Sequence, residues 1–181
     1  MIISVRGTSG SGKSHLVRRV VALYTKHRDL MAPPRVKPLY TLHGRTVAGK
    51  CLVTPGHYQI ANGGIDTLKS LDEAYEIARW AARSGHDVIM EGKNMSDGVA
   101  RVNELVAEKF EVRVVVLNTD VATCLRDVRK RGHRIAEKSI KKTYDKVHRD
   151  AVNFHCETVV GDRDACFEVI RRWLGPHDGD E

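Results

Sequence analysis

The chain alternates short β-branched runs with stretches of helical spacing. IISVR at residues 2–6 stops at a glycine-rich turn, and HLVRRVVALYTKH follows, with Leu16, Val17, Val20, Val21, Leu23 and Tyr24 at helical intervals. The proline-rich DLMAPPRVKPLY then reads as a connection, and YTLHGRTVAGKCLVTPGHY as two β-prone pieces around Gly44 and Arg45, a small inserted hairpin. SLDEAYEIARWAARSG predicts a helix with Ser70 as N-cap, acids in its first turn and Gly85 at its end. DVIMEG predicts a buried strand, SDGVARVNELVAEKF a helix capped by Ser96 or Asp97, and EVRVVVLNTD the most apolar strand of the chain. VATCLRDVRKRG and SIKKTYDKVHRDAVNFH read as helices, ETVVGD as a last strand and RDACFEVIRRWLG as a closing helix. Strands alternating with helices predict an α/β fold, a parallel sheet covered on both faces.

At 181 residues the chain fits one domain, expected over 1–175, with the polar end 176–181 expected to be disordered. The start MIISVRG has neither the charge pattern nor the apolar length of a signal or transit peptide, and no run approaches a membrane span, so a soluble cytoplasmic protein without a membrane partner is expected. Cys51, Cys124, Cys156 and Cys166 show no CxxC or zinc-ligand spacing and read as reduced thiols. Thirty Lys and Arg against 23 Asp and Glu leave a net charge of +7, which favours an anionic partner: ATP, a phosphorylated metabolite or DNA.

Residues 7–14, GTSGSGKS, match G-x-x-x-x-G-K-[ST] between a strand and a helix, the context that motif requires. Gly7, Gly10 and Gly12 let the backbone wrap so that N–H groups of the loop, including Thr8, Ser9 and Ser11 and running into His15, point at one phosphate chain at the positive end of the helix. Lys13 then reaches the β and γ oxygens and Ser14 offers its hydroxyl to magnesium, so ATP and Mg2+ are the expected nucleotide and metal.

Glu91 closes the run DVIM at the carboxyl end of a strand, where parallel sheets put their ligands. It is placed to hold magnesium or to take a proton from an attacking hydroxyl; the alternative is a strand-end surface glutamate. Lys93 and Asn94, just beyond it, are assigned to the acceptor side. LRDVRKRGHR puts Arg126, Arg129, Arg131 and Arg134 at one helix and its end, either against a transferring phosphoryl group or on a solvated or nucleic-acid-binding face.

GTSGSGKS, DVIMEG, VRVVVLNTD followed by CLRDVRKRGHR, and VVGDRDACFEVIRRWL together resemble the small P-loop kinases, the group of nucleotide, shikimate and gluconate kinases, over nearly the whole chain. The resemblance implies a five-stranded parallel sheet in the order 2-3-1-4-5, an acceptor insert at about 33–68 and a lid at about 126–140 that closes over ATP. It implies catalytic roles for Lys13, Asp66, Glu91, Arg126 and Arg131, phosphate or acceptor contacts for Arg129 and Arg134, and a place near the adenine for Asp162.

The insert contains GHYQIANGGIDTL, which looks like the segment of bacteriophage P-loop kinases that phosphorylate 5-hydroxymethyluracil in DNA, with Gln59 in place of an acidic residue after the tyrosine. That likeness implies that Gly63 and Gly64 let the backbone approach the acceptor, that Asp66 receives or orients the hydroxyl proton, and that His57, Tyr58 and Asn62 shape the base pocket. The plainer alternative makes the glycines a turn and Asp66 a helix cap. The resulting expectation is an ATP-dependent kinase whose partner is DNA containing a hydroxymethylated pyrimidine. The rival expectations are a kinase of a small free metabolite and a nucleotide-binding ATPase without acceptor.

Overall fold

The computed structural model describes residues 1–30, 39–45, 50–58, 64–92 and 98–175. Its strands are β1 (Ile2–Arg6), β2 (His27–Leu30), β3 (Tyr40–Arg45), β4 (Cys51–Pro55), β5 (Asp87–Glu91), β6 (Val112–Leu117) and β7 (Glu157–Gly161). The helices are α1 (Lys13–Val21), α2 (Leu71–Arg83), α3 (Gly98–Ala107), α4 (Val121–Lys130), α5 (Glu137–Asp150) and α6 (Arg163–Leu174). The expected cap at Ser96 or Asp97 and the tail 176–181 lie outside the described residues.

The sheet differs from the expected purely parallel five strands: it has seven, in the order β2-β3-β4-β5-β1-β6-β7. Pairing from β4 to β7 is parallel, while β2–β3 and β3–β4 are antiparallel. The five parallel strands alone keep the predicted 2-3-1-4-5 order, and the hairpin read as an insert supplies one of them, since β4 pairs with β5 through Leu52↔Asp87 and Val53↔Val88. β2 escaped the reading because its sequence HRDL has no apolar alternation; pairing with β3, His27 opposite His43, makes it a strand. The first helix correspondingly stops at Val21, short of the predicted Tyr24, which is still buried in the core.

The period of two along each strand divides the core. Ile2, Val88, Met90, Val112, Val114 and Val116 face α2 and α3, while Ile3, Val5, Ile89, Val115 and Leu117 face α1 and α6. Ser70 caps α2 as predicted, accepting the Glu73 N–H; Asp120 and Asp162, which the sequence reading did not mark as caps, accept the Thr123 N–H and those of Asp164 and Ala165. Among the described residues no helix is long and apolar enough to cross a membrane. The carboxyl ends of β1, β5 and β6 therefore open onto the turn that precedes α1, which is where the glycine-rich motif lies.

Candidate active site

The loop from β1 to α1 is packed from outside by distant chain. Gly10 has φ +84°, and a side chain there would collide with the Cys124 carbonyl of α4. Thr119 Oγ1 donates to the Ser11 carbonyl at 2.9 Å, and Arg163 Nε to the same oxygen at 2.8 Å. A second arm of Arg163 reaches Asp127 Oδ2 on α4 at 3.0 Å, so one guanidinium ties α6, α4 and the loop together. Lys13 Nζ folds over the loop onto the Gly7 and Thr8 carbonyls at 2.9 and 3.1 Å. Ser11 Oγ is buried without a hydrogen-bond partner among the described residues.

Beside this cradle Ser14 Oγ donates to Glu91 Oε1 at 2.6 Å. Burial pushes the Glu91 carboxyl up from its ordinary range, against the pull of Lys13 and of the Ser14 hydrogen bond. Burial also lowers Lys13, with Arg131 acting the same way and Glu91 and Asp66 opposing. The electrostatics thus bring five predicted residues into one neighbourhood: Lys13, Ser14, Glu91, Asp66 and Arg131.

Asp66 stands exposed in a 3-10 turn, Ile65–Thr67, capped by Gly64, whereas α2 takes Ser70 as its cap; the aspartate caps neither. Gly64 has φ +76° and pairs with His57, its N–H donating to the His57 carbonyl at 2.6 Å. A Cβ on Gly64 would lie 2.8 Å from the Tyr58 hydroxyl. His57 and Tyr58 are both buried, the Tyr58 carbonyl accepts from Arg18 Nε at 2.9 Å, and His57 Nδ1 has no hydrogen-bond partner among the described residues. Burial pushes the Tyr58 hydroxyl well up, and the Glu91 charge adds to the shift. Asn62, Gly63, Lys93 and Asn94 lie outside the described residues, as does Gln59.

This chain is 36% identical to a protein of Pseudomonas phage PaMx11 described as a 5-hmdU DNA kinase, over 96% of both chains. The chain belongs to that kinase family. It is accordingly a phosphotransferase acting on a hydroxyl acceptor, and its nucleotide is ATP. The family's fold also appears in deoxyadenosine kinase from M. mycoides, solved with bound dATP: 96% of this chain and 99% of that one superpose with a TM-score of 0.50 at 16% identity. No family model matches.

The arginines predicted for a lid divide between two faces. Arg131, exposed at the end of α4 with its Nε donating to the Asp127 carbonyl, adds its charge to the surroundings of Lys13, whereas Arg126 and Arg129, with Lys130, line an outer groove of about 580 Å3 along α4. Arg134 is exposed in the connection between α4 and α5. Asp162, expected near adenine, has a carboxylate oxygen shared by two backbone N–H groups of α6. Three bracing residues escaped sequence reading, namely Thr119, Arg18 and the guanidinium role of Arg163, because their partners sit 36 to 153 residues away. The Asp-Arg pair opening α6 is the single local hint.

Proposed function

We propose that this kinase transfers the γ-phosphoryl group of ATP, with magnesium, to the hydroxymethyl group of 5-hydroxymethyluracil in DNA. The observation that carries the acceptor is the phage relative, matched from end to end rather than over the nucleotide half alone. The cradle fits a nucleoside triphosphate and magnesium: a buried Ser11 hydroxyl without a partner among the described residues lies in the loop, a lysine crosses it, and Ser14 with Glu91 offers two adjoining hard oxygen donors. Magnesium held by Ser14 and Glu91 supplies charge neutralisation at the transferring phosphates.

Lys13 neutralises charge on the β and γ oxygens, and Arg131 adds a second cation on the same side. The hydroxymethyl oxygen bonds to the γ-phosphorus as the bridge to the β-phosphate breaks, and the hydroxyl proton passes to Asp66. Asp66 suits that role better than Glu91, because it is exposed at the mouth while Glu91 is buried under Ser14. Gly64 brings the backbone close to the base, and His57, whose Nδ1 lacks a partner among the described residues, forms with Tyr58, Asn62 and Gly63 the pocket for its polar edge. Lys93, Asn94, Arg129 and Arg134 complete the acceptor side and Asp162 the nucleotide side, while Arg126 lies on the outer groove of α4. A base in duplex DNA must leave the stack to reach this site.

The test is transfer of labelled γ-phosphate to duplex DNA containing 5-hydroxymethyluracil, beside unmodified duplex and free nucleosides and sugar acids. Label on the modified duplex alone supports the proposal; label on a free compound, or release of phosphate only, overturns it. Asp66→Asn is expected to cut turnover with the magnesium requirement unchanged, and Glu91→Gln to raise that requirement. Transfer within a few-fold of normal in Asp66→Asn would remove Asp66 as the proton acceptor.

A further inference from the structure

The positive charge of the chain sits in one place. Residues 126–149 hold ten of the thirty Lys and Arg against three of the 23 Asp and Glu, which leaves twenty of each in the rest. With Asp150, the last residue of α5, the stretch from α4 through α5 holds ten against four, so six of the +7 excess lie on α4, α5 and their connection.

The fold does not require this charge. Ile140 is the one buried residue of α5, with Val147 packed beside the core. At about 100° per residue, Lys138, Lys142, Lys146 and Arg149 fall within a sector of about 80° on the side opposite Ile140 and Val147. Asp145 interrupts that sector and Asp150 pairs with Lys146, while Lys138, Lys142 and Arg149 stand exposed. From Lys138 to Arg149 the helix rises about 16 Å, the axial span of about five phosphates on one strand of a duplex.

The outer face of α4 continues the pattern. Arg126, Arg129 and Lys130 surround a floor of Val121, Ala122 and Leu125, and Glu137 at the start of α5 closes the groove. The P-loop lies on the other side of α4, where the Cys124 carbonyl meets Gly10 and Asp127 holds Arg163. Arg131, at the end of α4, acts on Lys13 and so connects the basic surface to the transfer centre.

We propose that this groove and the α5 stripe form a track for the sugar-phosphate backbone of the DNA strand flanking the base to be phosphorylated, outside the ATP cradle. The identity of the partner rests on the DNA reading of function, but the track is tested separately. A mononucleotide has no use for a stripe of this length, whereas a polynucleotide meets each cation with a phosphate and the apolar floor with a sugar or flanking base.

The experiment measures binding of the full chain to an unmodified duplex of about twenty base pairs, from about 50 to 200 mM salt, for the wild type and a Lys138→Ala, Lys142→Ala, Arg149→Ala variant. These exposed side chains touch none of the catalytic groups, and alanine favours the helix. The slope of log affinity against log salt is expected to fall by about 2 to 3 in the variant, with KM for ATP unchanged. A second variant, Ala122→Asp, places a negative charge in the groove and is expected to weaken DNA binding several-fold. An unchanged slope in the triple variant overturns the track, as does an equal loss of affinity for ATP. If the wild type binds DNA through the stripe yet labels no hydroxymethyluracil, the acceptor proposal fails and the track stands. If it labels the modified duplex and the variant keeps its slope, the reverse holds.

Discussion

The P-loop and the segment proposed to receive the acceptor use one device, a glycine with positive φ against a close neighbour, but they anchor it differently. Gly10 abuts a backbone carbonyl of α4, and its loop is cross-tied by Thr119 and Arg163 from two further elements. Gly64 abuts a tyrosine ring, and its segment leaves a buried histidine nitrogen without a partner among the described residues. Phosphates are the same in every reaction of this kind, so their cradle can be braced from distant chain, and the Ser11 hydroxyl that lacks a partner among the described residues faces a constant ligand. The acceptor differs, and a buried His57 nitrogen that lacks a partner among the described residues discriminates among ligands, because only the correct one satisfies it.

The largest break in this comparison is expected on the nucleotide side. Lys13→Ala removes the cation that crosses the cradle and should lower kcat/KM by about 10³-fold with every acceptor. Gly64→Ala should lower turnover with the proper acceptor by about 10²-fold through misplacement, while KM for ATP stays as it was. If both constants move together, the two sides are not separable as described.

Arg163→Ala should raise KM for ATP by about tenfold, since charged hydrogen bonds of this kind contribute about 1.5 to 3 kcal/mol. Arg163→Lys restores charge but not the two-armed fork, and should rescue only in part.

The pH dependence of kcat/KM sharpens the assignment of charges. Activity should fall on the acid side as Glu91 takes a proton, at a pH above the ordinary 4.5, and on the alkaline side as Lys13 loses one, below the ordinary 10.5. A profile flat through both regions would detach these two groups from the reaction.

The smallest effect belongs to the sheet edge. Burial, helped by the neighbouring His27, depresses His43 to about 3, so the folded state holds this ring neutral where the unfolded chain would protonate it. The unfolded state then binds more protons below about pH 6.5, and stability is lost as the pH falls toward 3. Between about pH 6.5 and 5 the loss is about 1 to 2 kcal/mol. His43→Gln should shrink the drop in Tm over that interval; an equal drop would place the acid sensitivity elsewhere.

The sequence by itself determined the glycine-rich turn between a strand and a helix and the cap Ser70, because each depends on residues within a few positions of chain, whereas the order of the parallel strands came only with the resemblance. Motif and resemblance together also placed Glu91 beside Ser14. Tertiary structure alone decided the rest. HRDL became a strand only by pairing with β3, which turned the expected insert into the edge of a seven-stranded sheet. The run of lid arginines, uniform in sequence, was divided by the end of α4: Arg126 and Arg129 line its outer groove, while Arg131, just past the helix, adds its charge to the surroundings of Lys13. Arg163, which the resemblance set only near the adenine, became the brace of the loop through carbonyls 152 and 153 positions earlier. Such contacts are fixed by the packing of whole helices on the sheet, and no local pattern of residue types encodes them.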